Sequence, residues 1–143
     1  MIKKIMIATD GSEHSRQAAV VGMELAKLSG AEILAIYVVD IHRLAQLPGY
    51  AGMPGTKQSL MELMLREGER ATEDVENIAR ENGLLCQKLI ARGDPSQELL
   101  KLSQGLDLIV LGSIGKSGLE KFLLGSVAEK IVRHSKIPVL LVP

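Results

Sequence analysis

A glycine-rich segment near the C-terminus holds the residues best suited to chemistry in this chain. It reads LGSIGKSGLEKFLLGS (residues 111–126), follows an apolar, strand-like run and ends at Ser126, where helical spacing begins. Glycine lets a backbone lie close to a phosphate, and a helix N-terminus adds unpaired amides and the positive end of the helix dipole. The segment therefore predicts a phosphate-binding loop, and a nucleotide is the first ligand to consider.

The spacing of these glycines excludes two common phosphate-binding motifs. A Walker A loop requires a glycine five residues before Gly115, where the chain has Val110. A dinucleotide fingerprint requires a glycine two residues after Gly112, where the chain has Ile114. The pattern that remains is Gly112-x2-Gly115-x9-Gly125-Ser126.

A helix start is predicted at the end of the segment. Ser126 and Glu129 have the S-x-x-E spacing of a capping box, which would start the helix at Gly125-Ser126. The amides of residues 126–128 would then be among those without helical partners, so they could face a phosphate.

The rest of the chain must position this segment, and its apolar runs alternate with helical patterns. The fourth helix is predicted to be short, with Asp94 as its cap and Pro95 at its first position. Proline and glycine mark residues 40–56 as a long mobile loop. The predicted strands cover residues 5–8, 33–39, 84–91, 106–111 and 138–142, and the other predicted helices 12–29, 57–82 and 127–134.

These elements predict one α/β domain over residues 1–143. Strands that are apolar on both faces indicate a five-stranded parallel sheet, doubly wound as in Rossmann-like and flavodoxin-like folds, with helices on both faces. Ligands of such sheets bind beyond the carboxyl ends of the strands, where the strand order reverses. The predicted strand ends are polar or glycine-rich, at Thr9-Asp10-Gly11, Asp40, Arg92-Gly93 and Gly112-Ser113.

The glycine pattern resembles that of the universal stress protein family, whose nucleotide-binding members carry G-x2-G-x9-G-(S/T). The resemblance extends along the whole chain, through IATDGS at residues 7–12, RGDP at 92–95, IVLGS at 109–113 and PVLLV at 138–142. It implies an adenine nucleotide alpha hydrolase-like fold and ATP as the ligand.

The resemblance also implies where each part of ATP binds. The triphosphate is expected on Gly115, Gly125, Ser126 and Val127, the ribose near Gly112, and adenine against Ala8, Thr9 and Val38. Ser113 and Lys116 are also expected to bind the nucleotide. Asp10 is expected to hold Mg²⁺ through water or phosphate, because Mg²⁺ prefers oxygen ligands. Ile114 departs from the family pattern, which often has His or Arg there, and Lys116 and Lys121 are expected to replace part of that charge.

Composition limits the partners. Seventeen basic and seventeen acidic residues balance, so no net charge favours nucleic acid or an anionic membrane. No run is long enough to span a bilayer, and the apolar run at the N-terminus stops at Asp10, which indicates a cytoplasmic protein. The one cysteine, Cys86, is expected to be an inert buried thiol, and the three histidines lack metal-ligand spacing.

The last strand predicts self-association. Residues 138–142 are apolar throughout, so at a sheet edge they would invite pairing with another chain. The family resemblance implies a homodimer formed by two copies of this strand.

Three functions stay open at this point. The first is an ATP-binding regulatory or stress-response protein, which could also bind a protein partner. The second is a slow ATP-hydrolysing or nucleotidyl-transfer enzyme, although Glu120 and Glu129 are the only carboxylates near the motif and Glu129 is expected to be engaged in the capping box. The third is an interaction module without nucleotide. A flavin carrier of similar fold is disfavoured by the scarcity of aromatic residues (one Phe, two Tyr, no Trp).

Overall fold

Five parallel strands form one open sheet in the computed structural model, which describes residues 1–50, 52, 55–114 and 124–143. The strands are β1 (Lys4–Ala8), β2 (Glu32–Asp40), β3 (Cys86–Gly93), β4 (Leu108–Gly112) and β5 (Val139–Val142). Their order across the sheet is β3-β2-β1-β4-β5, and every neighbouring pair is parallel. The predicted doubly wound α/β fold is confirmed.

Helices cover both faces of the sheet. They are α1 (Glu13–Ser29), α2 (Ile41–Gln46), α3 (Thr56–Glu81), α4 (Pro95–Leu102) and α5 (Ser126–His134). On one face α1 and α3 pack against side chains such as Ile7, Ile33 and Val110. On the other face α4 and α5 pack against side chains such as Met6 and Ile109. Because successive residues of a strand point to opposite faces, the central strands are apolar without alternation.

Local capping chemistry fixes several helix ends where the sequence predicts them. The Ser12 hydroxyl accepts a hydrogen bond from the Ser15 amide at 3.2 Å and starts α1. Gly30 ends that helix in the left-handed conformation (φ 73°). Asp94 accepts from the Gln97 amide at 3.1 Å and starts α4. Each such cap contributes about 1 kcal/mol.

The predicted loop over residues 40–56 is wrong in its first part, which forms α2. The Asp40 carboxylate accepts from the Arg43 amide at 3.1 Å and caps this helix. Leu44 is 1% exposed and packs with Val39 and Met64, which fixes the helix to the body of the domain. Less than two turns of helix is too short to show a reliable apolar period.

Strands β3 and β5 are the two edges of the described sheet. All four residues of β5 are half-buried, whereas much of β3 is exposed. Cys86 on β3 is half-buried, and burial, with a smaller effect of Glu76, raises the pKa of its thiol to about 11. Its thiol is therefore protonated at neutral pH. Within the described residues, no helix combines the length and apolar character needed to cross a membrane.

Candidate functional site

A cavity of about 460 Å³ opens at the carboxyl ends of β2, β1 and β4, where the strand order reverses. Nine of the eleven residues predicted to bind the ligand line it: Ala8, Thr9, Asp10, Val38, Gly112, Ser113, Gly125, Ser126 and Val127. The other two, Gly115 and Lys116, lie outside the described residues, as does Lys121. The structure thus brings the nine together, and their role in binding a ligand stays a prediction.

Eleven further residues line the cavity that were not among the residues predicted to bind the ligand. Several belong to α2, α3 and α4, which are remote from the glycine motif in the sequence. They are Ser15, Ile36, Tyr37, Asp40, Arg43, Met64, Pro95, Leu99, Leu111, Ile114 and Ala128. The polar ends of β2 and β3 were the only available signal, since they place the first turns of α2 and α4 at the same rim.

The start of α5 differs from the predicted capping box. Gly125, with φ −60° and ψ 153°, is the N-cap, and no side chain among the described residues caps the helix. Ser126 is already helical, and the Glu129 carboxylate pairs with Arg133 at 3.1 Å. The helix start predicted at Gly125-Ser126 is therefore confirmed, whereas the predicted capping box is wrong. Because the first-turn amides of a helix have no intrahelical partner, an uncapped start leaves residues 126–128 available to an anion.

Main-chain hydrogen bonds hold this helix start against the end of β4. The Gly125 amide donates to the Ser113 carbonyl at 2.8 Å, and the Ser113 amide donates to the Val142 carbonyl at 2.9 Å. A Cβ atom at Gly112 would lie 3.2 Å from the Ile114 carbonyl oxygen. A side chain at Gly112 would therefore crowd the backbone where β4 enters the cavity.

A network of short polar side chains shapes the turn after β1. The Thr9 and Ser15 hydroxyls lie 3.1 Å apart, both largely buried, and the Gly11 amide donates to Thr9 Oγ1 at 3.2 Å. The Ser12 amide donates to Asp10 Oδ1 at 2.9 Å. Since Ser12 caps α1, Asp10 is not needed for that role, and its carboxylate lies at the cavity.

The main chain of Val38 faces the cavity at the end of β2. The Thr9 amide donates to the Ile36 carbonyl at 2.9 Å, so Ile36 directs its main-chain groups towards β1. Main-chain direction repeats every two residues in a strand, and the paired part of β1 ends at Ala8. Val38 therefore presents one N–H donor and one C=O acceptor beyond the end of β1.

The α3 side of the cavity is built around Tyr37. Its ring lies against Gly68, where a Cβ atom would be 2.7 Å from Tyr37 Cδ1. Its hydroxyl donates to Glu67 at 3.4 Å. Burial, and then the charge of Glu67, raise the pKa of Tyr37 to about 12, which keeps the phenol neutral. On the α4 side, Pro95 and Leu99 complete the cavity.

No group of three or more His, Cys, Asp or Glu side chains in the described residues could hold a metal ion. A divalent cation at this cavity would therefore draw ligands from the bound molecule as well as from Asp10. This arrangement suits Mg²⁺, which is commonly shared between one or two carboxylates and substrate phosphates.

An open parallel sheet with a cavity at its switch point defines the class of doubly wound α/β ligand-binding domains. Within that class, the chain belongs to the universal stress protein family. The sequence model of the universal stress protein family matches residues 1–143, the whole chain.

Individual relatives resemble the chain over nearly its full length. Universal stress protein MJ0531 of Methanocaldococcus jannaschii is 40% identical, over 99% of this chain and 82% of its own. The structure of MJ0577 from the same organism is 31% identical with a TM-score of 0.78, covering 99% and 96% of the two chains. A universal stress protein in complex with cAMP is 26% identical with a TM-score of 0.66, over 99% and 96%.

Proposed function

We propose that this protein binds ATP with Mg²⁺ and acts as a nucleotide-dependent regulatory or stress-response protein. The observation that carries the proposal is that one cavity has two different polar binding regions at its opposite ends. The uncapped N-terminus of α5 suits phosphate at one end, and the Val38 main chain suits a base at the other. The cAMP complex of a relative supports an adenine nucleotide.

The Val38 main chain favours adenine over guanine. Adenine presents an amino donor beside a ring acceptor, which match the Val38 carbonyl and amide. Guanine presents a carbonyl acceptor beside a ring N–H donor. In the same position, its acceptor would face the Val38 carbonyl and its donor would face the Val38 amide, so neither hydrogen bond could form. Since an unsatisfied buried polar group costs about 1–3 kcal/mol, ATP should bind at least about 10-fold more tightly than GTP.

Asp10 is proposed to act through Mg²⁺ bound to the phosphates. Its Oδ1 accepts from the Ser12 amide, an interaction that asparagine can reproduce without the negative charge. Asp10→Asn should therefore keep the turn after β1 and lose the gain in ATP affinity that Mg²⁺ provides.

Nucleotide analysis after heat denaturation of the purified protein tests the proposal. ATP in the supernatant would support it, ADP alone would favour slow hydrolysis, and no nucleotide would favour the interaction module. Calorimetric titration with ATP, GTP and adenosine, with Mg²⁺ or EDTA and with Asp10→Asn, then checks the base preference and the cation. Equal affinity for ATP and GTP would contradict the role of Val38.

The cytoplasmic location stays a prediction.

We also propose that the protein forms a homodimer through the C-terminal strand, residues 138–142. Because the Val142 carbonyl accepts from Ser113, Val142 faces β4, and the main chain of Leu141 faces the open edge. A second copy of the strand could pair there and cover the half-buried apolar side chains.

Leu141→Pro is expected to make the protein monomeric, because proline removes an amide from the open edge and leaves the β4 ladder intact. Leu141→Ala, which keeps that amide, should remain a dimer. Sedimentation velocity at micromolar concentration measures both. A monomeric parent protein, or a dimeric Leu141→Pro variant, would contradict the proposed interface.

A further inference from the structure

The short helix α2 brings a planar cation to the mouth of the cavity. Its start is capped by Asp40, and Leu44 is buried against Tyr37 and Met64. Arg43, the residue before this anchor, is exposed and lines the cavity. The cap and the anchor together fix which way Arg43 faces, even though the helix has only six residues.

Arg43 lies on the β2 side of the cavity, across β1 from the helix start proposed to hold phosphate. It follows β2, whereas α5 follows β4, and β1 separates these strands in the sheet. The cavity residues that belong to this side are Tyr37, Val38 and Asp40 of β2 and Met64 of α3, with Asp10 just after β1. Asp40 accepts a hydrogen bond from the main chain of Arg43.

A bound base would be stabilised by a planar side chain stacked on it, but the aromatic residue of the cavity already packs against other groups. Among the described residues that line the cavity, Tyr37 is the aromatic one and Arg43 the basic one. Tyr37 is 4% exposed, with its ring against Gly68 and its hydroxyl on Glu67. It offers little ring surface to a ligand. A guanidinium group is flat and weakly hydrated, so it stacks well on an aromatic ring.

We propose that Arg43 covers the bound adenine by stacking its guanidinium group on the ring. The inference rests on the proposed nucleotide function and adds an affinity-determining residue that lies outside the glycine motif. In this arrangement α2 closes the side of the base slot that is open to solvent. Because the contact is with the base, its strength is independent of how many phosphates the ligand carries.

Titration of adenosine, AMP and ATP against Arg43→Ala and Arg43→Lys tests the role. Loss of a stacked cation should weaken binding about 5- to 30-fold. The loss should be alike for all three ligands, similar at low and high salt, and not restored by lysine. Arg80→Ala is the matched control, because Arg80 lies on the exposed face of α3 in an ion pair with Glu76. It should bind like the parent protein, and circular dichroism should show all variants folded.

Two results would overturn the inference while the proposed function stands. One is unchanged affinity in Arg43→Ala. The other is recovery in Arg43→Lys with a loss that grows from adenosine to ATP and shrinks with salt, which would assign Arg43 a charge role towards phosphate. If the parent protein binds none of the three ligands, the proposed function fails and the inference fails with it.

Discussion

Replacing Gly125 with aspartate is expected to abolish tight ATP binding while the protein remains folded. Gly125 is the N-cap of α5 in an extended conformation that any residue can adopt. An aspartate there would cap the first-turn amides itself and place a negative charge where the phosphates are proposed to lie. Losing two amide hydrogen bonds to a charged group, at about 1.5–3 kcal/mol each, lowers ATP affinity by at least about 100-fold.

The stability of the unliganded variant is best compared with that of Gly125→Ala, because Gly125 is buried and any side chain there carries a packing cost. Aspartate is a better N-cap than alanine by about 1 kcal/mol. Gly125→Asp should therefore unfold at a higher urea concentration than Gly125→Ala. A variant that loses its ligand while remaining folded separates a binding role of Gly125 from a folding role.

Matched variants separate charge from size at this position. Gly125→Asn also caps the amides but adds no charge, so it should lose less ATP affinity than Gly125→Asp. Gly125→Ala adds only a methyl group and measures the steric cost. Adenosine, which has no phosphate, should bind the Asn and Asp variants alike. If Gly125→Asp bound ATP as tightly as the parent protein, the phosphates would have to lie elsewhere.

The sequence predicts this fold well because its signals are local. The buried parallel strands read as continuous apolar runs, and Ser12, Gly30 and Asp94 mark helix ends through cap chemistry that involves only neighbouring residues. The rule that ligands bind at the switch point then places Asp10 and Gly112 on one rim.

The sequence predicts less where a decision depends on tertiary contacts. Gly125 and Ser126 are both acceptable N-caps, and the contact of Gly125 with the Ser113 carbonyl favours the glycine. The helix α2 forms because Leu44 finds a buried place under Tyr37, which no local pattern shows. Arg43 reaches the cavity only through that packing.

Gly68 illustrates a tertiary constraint within an otherwise ordinary helix, and Gly68→Ala is expected to destabilise the protein by roughly 1–3 kcal/mol. On helix propensity alone, alanine would stabilise α3 by about 1 kcal/mol. Here the new Cβ atom would lie 2.7 Å from Cδ1 and 3.2 Å from Cε1 of the Tyr37 ring. The ring is 4% exposed and lines the cavity, so we expect it to shift towards the cavity.

A double-mutant cycle with Tyr37→Leu isolates this contact. Without the ring, the closest contacts of alanine at position 68, those with Cδ1 and Cε1, are gone, so Gly68→Ala should be neutral or stabilising in the Tyr37→Leu background. In a Tyr37→Phe background the ring remains, and the full penalty should persist. Urea unfolding at one fixed protein concentration measures all the variants and keeps any dimerisation constant.

The same substitution links the packing of α3 to the ligand. A ring pushed away from α3 would narrow the base end of the cavity, so Gly68→Ala should also weaken adenosine binding, whereas Gly68→Ala with Tyr37→Leu should restore part of it. An equal stability cost of Gly68→Ala in all three backgrounds would contradict the steric explanation. The stability cost of Gly68→Ala would then arise within the helix itself, and Tyr37 would be held in place by β2 and Glu67 alone.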